Sequence, residues 1–156
     1  MSSSEIVVRR SDPHLVTAYL AGEYERTVMD LRTWSCSAQL KEQLADALEL
    51  LTGVNGTWKT AKYALGSLAK IKRFTRWCVD NEIAGMEQLT LDKWNTYLLS
   101  VSATKGNNST KREQIATVRQ VLLQFPERLP EDLPKHLIRR LPKRDSVEVQ
   151  PYTKEV

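Results

Sequence analysis

Residues 57–81, TWKTAKYALGSLAKIKRFTRWCVDN, decide the expected fold because they form the longest amphipathic stretch of the chain. At about 100° per residue, a helix over this stretch has one apolar side and one basic side. The apolar side consists of Ala61, Ala64, Leu65, Leu68, Ile71, Thr75 and Cys78. The basic side consists of Lys59, Lys62, Gly66, Lys70 and Arg73, flanked by Lys72 and Arg76. Thr57 is a suitable N-cap, so we expect a helix from Thr57 to about Asn81.

Two features make this basic side unlike an ordinary solvated helix face. No acidic residue occurs from Thr57 to Val79, so the lysines lack the glutamate partners at i and i+4 that stabilise exposed helices. Gly66 in the middle lowers helix propensity by about 1 kcal/mol relative to alanine. That cost is easier to explain if a partner approaches the backbone at Gly66, although a solvated face remains the alternative.

Positive charge is concentrated in the middle of the chain. Residues 57–144 contain 17 Lys and Arg against 8 Asp and Glu, whereas residues 1–56 contain 5 against 8 and residues 145–156 contain 1 against 3. The whole chain carries a net charge of +4. A basic middle between mildly acidic ends is typical of a protein with one surface for a polyanion, most commonly nucleic acid.

Apolar residues elsewhere also recur at intervals of three and four, and no long alternating run with paired turn signals predicts a sheet. Asp12 followed by Pro13 predicts a short helix that ends before Gly22. A clearer helix is expected from about Ser37 to Leu51, followed by a glycine-containing turn at 53–56. We therefore expect an all-α protein with a domain boundary at this turn.

Three further helices are expected after residue 81. Thr90 is the N-cap of one, and Thr110-Lys-Arg-Glu113 is a capping box that opens the next. Prolines bound a last short helix at about 135–141. Lys111 and Arg112 at a helix start oppose the helix dipole, an arrangement that an incoming phosphate would favour.

Cysteine and hydropathy patterns exclude several classes of protein. Cys36 and Cys78 are far apart in sequence and have no CxxC or histidine cluster nearby, so neither a zinc site nor a disulfide framework is expected. The N-terminus has too few consecutive apolar residues for a signal peptide, and no apolar run has membrane-spanning length. We expect a reduced, cytoplasmic protein with no membrane partner.

The order of aromatic and apolar residues resembles a known family. A long helix with Tyr63, Phe74 and Trp77 is followed by Asn81-Glu-Ile83. Leu89-Thr90 then begins a helix with Trp94 and Tyr97, and Ser109-Thr110 begins a third helix. The order ends with Leu141-Pro-Lys143, a linker and Tyr152-Thr-Lys-Glu155. In this order the chain resembles the core-binding domain of tyrosine recombinases, the phage-integrase family. The resemblance covers about Thr57 to Val156.

This resemblance implies a SAM-like four-helix core-binding bundle that forms one half of a clamp around duplex DNA. The domains would be an N-terminal helical extension (1–56), a DNA-binding domain (57–144), and a linker with the start of a catalytic domain (145–156). The implied partners are double-stranded DNA, the catalytic domain of the same recombinase, and neighbouring protomers on DNA. The implied DNA contacts are Lys59, Thr60, Lys62, Lys70, Arg73, Arg76, Ser109, Lys111, Arg112, Arg119, Arg139 and Arg140.

The family's catalytic tyrosine, arginine, lysine and His-x-x-Arg string belong after the linker, and only five residues follow Pro151. His136 and Arg139 form such a string on the helix before the linker, where we interpret it as coincidental. Tyr152 has no neighbouring base to activate it and is interpreted as a domain-junction residue. We therefore expect no catalysis, cofactor or metal site from this chain alone, within a parent protein that breaks and rejoins DNA.

Residues 1–56 lie outside the resemblance. Their excess of acidic residues argues against phosphate contact, so we expect a helical extension that packs through Leu40, Leu44, Leu48 and Leu51. The alternative function is a stand-alone helical interaction or regulatory module whose partner docks on exposed aromatics such as Trp34, Trp58 or Trp77. Salt dependence separates the two functions, because contacts through aromatics respond weakly to salt.

Overall fold

In the computed structural model, which describes residues 7–20 and 26–138, a small antiparallel sheet precedes five α-helices. The strands are β1 (Val7–Asp12), β2 (Leu15–Tyr19) and β3 (Thr27–Asp30), in the order β1-β2-β3. The helices are α1 (Ala38–Leu51), α2 (Ala61–Asp80), α3 (Leu91–Ser102), α4 (Asn108–Leu122) and α5 (Leu133–Ile138). Short 3-10 turns occur at Met86–Gln88 and Pro126–Arg128. The expectation of an all-α bundle with a helical N-terminal segment is therefore wrong.

The sheet forms where a helix beginning at Pro13 is predicted. In β2, Val16 and Ala18 are buried while Leu15, Thr17 and Tyr19 are more accessible, and Val16 pairs with Met29 of β3. Asp12 ends β1 and Pro13 begins the β1–β2 turn, in which the His14 amide donates to Asp12 Oδ1 at 2.9 Å. Such an Asx turn gives the chain a local alternative to a helix start.

Helix starts match the sequence expectations in two cases and differ in two. Ser37, where α1 was expected to begin, is its N-cap, and Thr90 caps α3, as predicted. Helix α2 is capped by Thr60, one turn after the predicted Thr57. Helix α4 is capped by Asn107, whose Oδ1 accepts from the Thr110 amide at 2.8 Å, so the predicted capping box at Thr110 is wrong. Asparagine is among the strongest N-caps, which lets α4 begin nearly one turn earlier.

One hydrophobic core joins the sheet to all five helices. It includes Met29 of β3, Leu48 of α1, Phe74 of α2, Leu122 of α4 and Leu137 of α5, each essentially inaccessible to solvent. One face of the sheet packs on this core, and the exposed residues Tyr19 and Val28 lie on the other. The rest of the described chain therefore covers only one face of the sheet.

A group of paired charges, here named the charge clamp, links the sheet to later parts of the chain. It consists of Arg10 of β1, Asp46 and Glu49 of α1, and Arg128 after α4. Arg10 bonds to Asp46 at 2.8 Å and to Glu49 at 3.2 Å, and Arg128 bonds to Asp46 at 2.9 Å. The Arg128 guanidinium also lies 4.2 Å from the centre of the Phe125 ring. The two half-buried arginines therefore connect β1 and the segment after α4 to α1 through ion pairs.

Candidate nucleic-acid interface

Helices α2 and α4 run antiparallel and leave a groove between them, here named the first groove. Trp58 Nε1 donates to Gln120 Oε1 at 3.0 Å at one end, and Arg73 donates to Gln114 Oε1 at 3.2 Å further along. The first groove has a volume of about 570 Å³. It is lined by Thr60, Lys62, Tyr63, Gly66, Ser67, Lys70, Glu113, Ala116 and Thr117.

Small residues line the middle of the first groove, and cations stand at its α2 side. Gly66 is exposed, and a Cβ added there would meet no atom within 4 Å. Its neighbours Ser67 and Ala116 are also small, so a partner can approach the backbones of both helices. Lys62 and Lys70, two helical turns apart on α2, lie on either side of Gly66.

A second groove, of about 610 Å³, continues along α2 toward α3 and the start of α4. It is lined by Arg73, Trp77, Asp80, Tyr97, Ser100, Val101, Thr104, Lys105, Thr110, Lys111 and Gln114. Trp77 lies on the basic side of α2, as expected, but it is half-buried against Phe74 and Tyr97, with ring centres 6.0 and 5.1 Å away.

Gln114 holds the boundary between the two grooves. Its Nε2 donates to the Lys70 carbonyl at 2.8 Å and to the Tyr97 hydroxyl at 3.0 Å, while its Oε1 accepts from Arg73. Burial raises the pKa of Tyr97 to about 12, so this phenol stays protonated at neutral pH. Gln114 therefore fixes Arg73 at the rim of the second groove through a buried network.

The structure brings many of the predicted DNA-contacting residues to the two grooves. Thr60, Lys62 and Lys70 line the first groove, and Arg73 and Lys111 line the second. Lys59 is exposed just before α2, and Ser109 is exposed in the first turn of α4. Lys111 also donates from Nζ to the Ser102 carbonyl at 2.9 Å, which ties the start of α4 to the end of α3.

Three predicted contacts lie away from the grooves. Arg76 is exposed on α2 but lines neither groove, and it lies on the flank that also carries Lys72. Arg112 and Arg119 of α4 are half-buried and line neither groove; at 100° per residue they lie about 40° and 60° around the helix from the groove residue Ala116 and about 100° or more from Glu113 and Thr117. Arg139 and Arg140 lie outside the described residues.

The cations of α2 differ from the other arginines in their partners. Lys62, Lys70, Lys72, Arg73 and Arg76 form no ion pair with any carboxylate in ranges 7–20 and 26–138. The ion pairs found there belong to the charge clamp and to Arg32 with Asp30. These cations are consequently not held in ion pairs within the described chain, although Glu113 lines the first groove and Asp80 lines the second.

Sequence reasoning missed several groove residues. Tyr63, Ser67, Glu113 and Thr117 line the first groove, and Gln114 separates it from the second. A helical projection of residues 108–122 signals Glu113 and Thr117, since they lie four positions apart on one face. No local signal identifies Gln114, because its role depends on contacts with α2 and α3.

Comparisons with known proteins identify no relative: no family model matches the chain, and neither a characterised protein nor a solved structure does.

Within the part of the chain that the structure describes, no group of three or more His, Cys, Asp and Glu side chains is arranged to hold a metal ion. Cys36 and Cys78 are buried free thiols, and burial raises the pKa of both. No described helix is both long and apolar enough to cross a bilayer.

Proposed function

We propose that this chain is a double-stranded DNA-binding module that docks on DNA through the face containing the two grooves. The observation that carries the proposal is the row of unpaired cations on α2 beside a groove lined by small residues. Following the resemblance, its parent is a tyrosine recombinase, whose catalytic domain performs cleavage and whose neighbouring protomers bind the same DNA. Under this proposal the chain acts in the cytoplasm, bound to DNA.

The unpaired cations support phosphate binding because a charge without an intramolecular partner is free to release counterions from DNA. From Lys62 to Asp80 the grooves follow α2 for about 27 Å at 1.5 Å per residue. That length corresponds to about eight base pairs at 3.4 Å each. If about five phosphates are neutralised, log K falls with log salt at a slope of about −4.5.

Gly66 supports close approach of the DNA backbone. Within the described chain nothing stands where its side chain would be, so packing does not require glycine at this position. Glycine in a helix interior nevertheless costs about 1 kcal/mol relative to alanine. A sugar-phosphate strand that crosses α2 at Gly66, along the edge of the first groove, explains the absence of a side chain between Lys62 and Lys70.

The start of α2 adds a second phosphate contact. The Thr60 hydroxyl accepts from the Tyr63 amide at 3.1 Å, and the first turn contains no acidic residue. The amides of Ala61 and Lys62 therefore point toward solvent beside the Lys59 and Lys62 side chains. Free amides at the positive end of a helix dipole bind anions well.

Fluorescence anisotropy with a labelled duplex of about 30 base pairs, titrated at several salt concentrations, tests this function. The variant Lys70→Glu, Arg73→Glu reverses two groove cations, and we expect it to lose at least about 100-fold in affinity. The matched control is Lys72→Glu, Arg76→Glu, which makes the same charge change on the flank of α2. Far-UV circular dichroism checks that both variants remain folded.

The outcome expected is steep salt dependence in the unmodified chain and a much larger loss in the groove variant than in the control. Equal losses in both variants would contradict docking through the grooves. No binding of the folded chain at low salt would overturn the DNA-binding function itself.

A protein-interaction module is the second candidate, and Trp77 is the observation that favours it. This side chain lines the second groove beside Tyr97, where a partner's side chain could pack. Trp34 and Trp58 are buried, at 7% and 0% exposure, so the expectation that they dock a partner is wrong. Binding through Trp77 would depend weakly on salt, in contrast to DNA binding.

A further inference from the structure

We propose that Glu113 is a residue that reads base sequence, by accepting a hydrogen bond from the amino group of cytosine in the major groove. This inference rests on the proposed binding of duplex DNA and adds a specificity to it. The substrate class becomes duplexes with a C·G pair at the position facing the first groove.

Glu113 is the acidic residue among those lining the first groove. It is exposed, and it forms no hydrogen bond or ion pair with any described residue, although Lys62 and Lys70 line the same groove. A carboxylate placed there repels phosphates. Such a position is favourable on a DNA-binding face only if the carboxylate meets a hydrogen-bond donor.

Neither the helix dipole nor the N-cap of α4 accounts for a negative charge at this position. An acidic residue stabilises the helix dipole in the first turn, but α4 begins at Asn108 and its first turn contains no acidic residue. The charge is also unnecessary for a capping box, because the N-cap of α4 is Asn107. Glu113 is thus a charge that the described fold does not use.

The hydrogen-bonding groups at the edges of the bases favour cytosine as the partner of Glu113. The edge of cytosine presents an N4 amino donor in the major groove, and glutamate is the usual acceptor for it, whereas glutamine pairs with adenine N6 and N7. Lys62 and Lys70 are about 12 Å apart along α2, which suits contacts to phosphates on either side of the base that Glu113 reads. The cations hold the duplex while the carboxylate selects the base.

Selection from a random duplex library tests this assignment. The unmodified chain, Glu113→Gln and the control Glu131→Gln are each used to retain duplexes, which are then sequenced. Glu131 is an exposed glutamate that lines neither groove. We expect the unmodified chain and the control to enrich cytosine at one position at least about fivefold.

In Glu113→Gln, we expect that cytosine preference to disappear or change to adenine, while affinity for unselected duplexes rises about threefold because one negative charge is removed. An unchanged cytosine preference in this variant would overturn the assignment, as would DNA binding by the unmodified chain without any cytosine preference. Both outcomes leave the DNA-binding function intact. Failure of the folded chain to bind any duplex would instead overturn the function and this inference together.

Discussion

The charge clamp and the first groove both contain basic side chains, but only those of the clamp form ion pairs with carboxylates of the described chain. In the clamp, Arg10 and Arg128 share Asp46 at 2.8 and 2.9 Å, so their charge is balanced within the protein. In the first groove, Lys62 and Lys70 have no carboxylate partner among the described residues. Pairing, more than the number of positive charges, separates cations that hold the fold together from cations available to a ligand.

Two glycines test the same division between parts of the chain that serve the fold and parts that stay open, because one substitution has opposite expected effects on stability at the two sites. In the turn after α1, a Cβ at Gly56 would lie 2.0 Å from the Leu51 carbonyl oxygen and 2.6 Å from that of Leu50. Neither backbone atom can move without disturbing α1. We expect Gly56→Ala to lower the free energy of unfolding by about 3 kcal/mol, measured by urea denaturation.

The control for Gly56→Ala is the same substitution at Gly66, where a Cβ meets nothing within 4 Å. If Gly56→Ala leaves the urea midpoint unchanged, the backbone around Gly56 is less tightly packed than described here. The close approach between the turn and α1 would then contribute little to stability.

Among the substitutions that test the charge clamp, Asp46→Ala is expected to have the largest effect on stability. Asp46→Ala leaves Arg10 with Glu49 alone and removes the carboxylate partner of Arg128. Because these side chains are partly buried, we expect the free energy of unfolding to fall by about 2 kcal/mol. Glu42→Ala on the exposed side of α1 should change it by less than about 0.5 kcal/mol. Equal losses of stability in Asp46→Ala and Glu42→Ala would show that the ion pairs of Asp46 contribute no more to folding than an exposed carboxylate does.

Gly66→Ala is expected to strengthen the fold and weaken binding at once. The added methyl group fills open space on α2 and raises helix propensity, so the free energy of unfolding should rise by up to about 1 kcal/mol. DNA affinity, measured by anisotropy, should fall about tenfold, because the methyl group separates the strand from the helix backbone. A stabilised variant with unchanged affinity would show that DNA does not approach the helix there.

The smallest expected effect is at the exposed pair of Asp30 and Arg32. Hydrogen bonds from Arg32 lower the pKa of Asp30 from 3.8 to about 2. A lowered pKa means that the carboxylate stabilises the folded state above pH 3.8, and that this contribution disappears as the pH falls through about 2. Asp30→Asn should therefore lower stability by about 0.5 kcal/mol at neutral pH. Thermal unfolding should give equal stabilities for both proteins near pH 2.

Sequence alone predicted α1, α2 and α3, the start of α1 near Ser37 and the cap Thr90, because these segments are long and strongly periodic. The sheet was missed because its strands have only four to six residues each. Leu15 and Tyr19, four residues apart, suit one face of a helix as well as one face of a strand. The alternation of Val16, Ala18 and Leu20, all buried, was the signal that favoured a strand.

The basic side of α2 was also predicted from sequence, because helical periodicity alone separates Lys62, Lys70 and Arg73 from the apolar side. The groove itself was not, since it exists only where α2 meets α4. For the same reason the sequence did not show that Arg112 and Arg119, which were also expected to contact DNA, line neither groove. Which side of a helix faces a groove depends on its neighbours in three dimensions.

The position of the charge clamp in the sequence also affects how the protein is made. Asp46 and Arg10 leave the ribosome early and can pair while α4 is still unsynthesised, but Arg128 reaches Asp46 only after nearly the whole described chain has emerged. Domains generally complete folding once their last contacts become available. The ion pair between Arg128 and Asp46 would therefore form later during synthesis than the ion pair between Arg10 and Asp46, after α1 to α4 have all emerged from the ribosome.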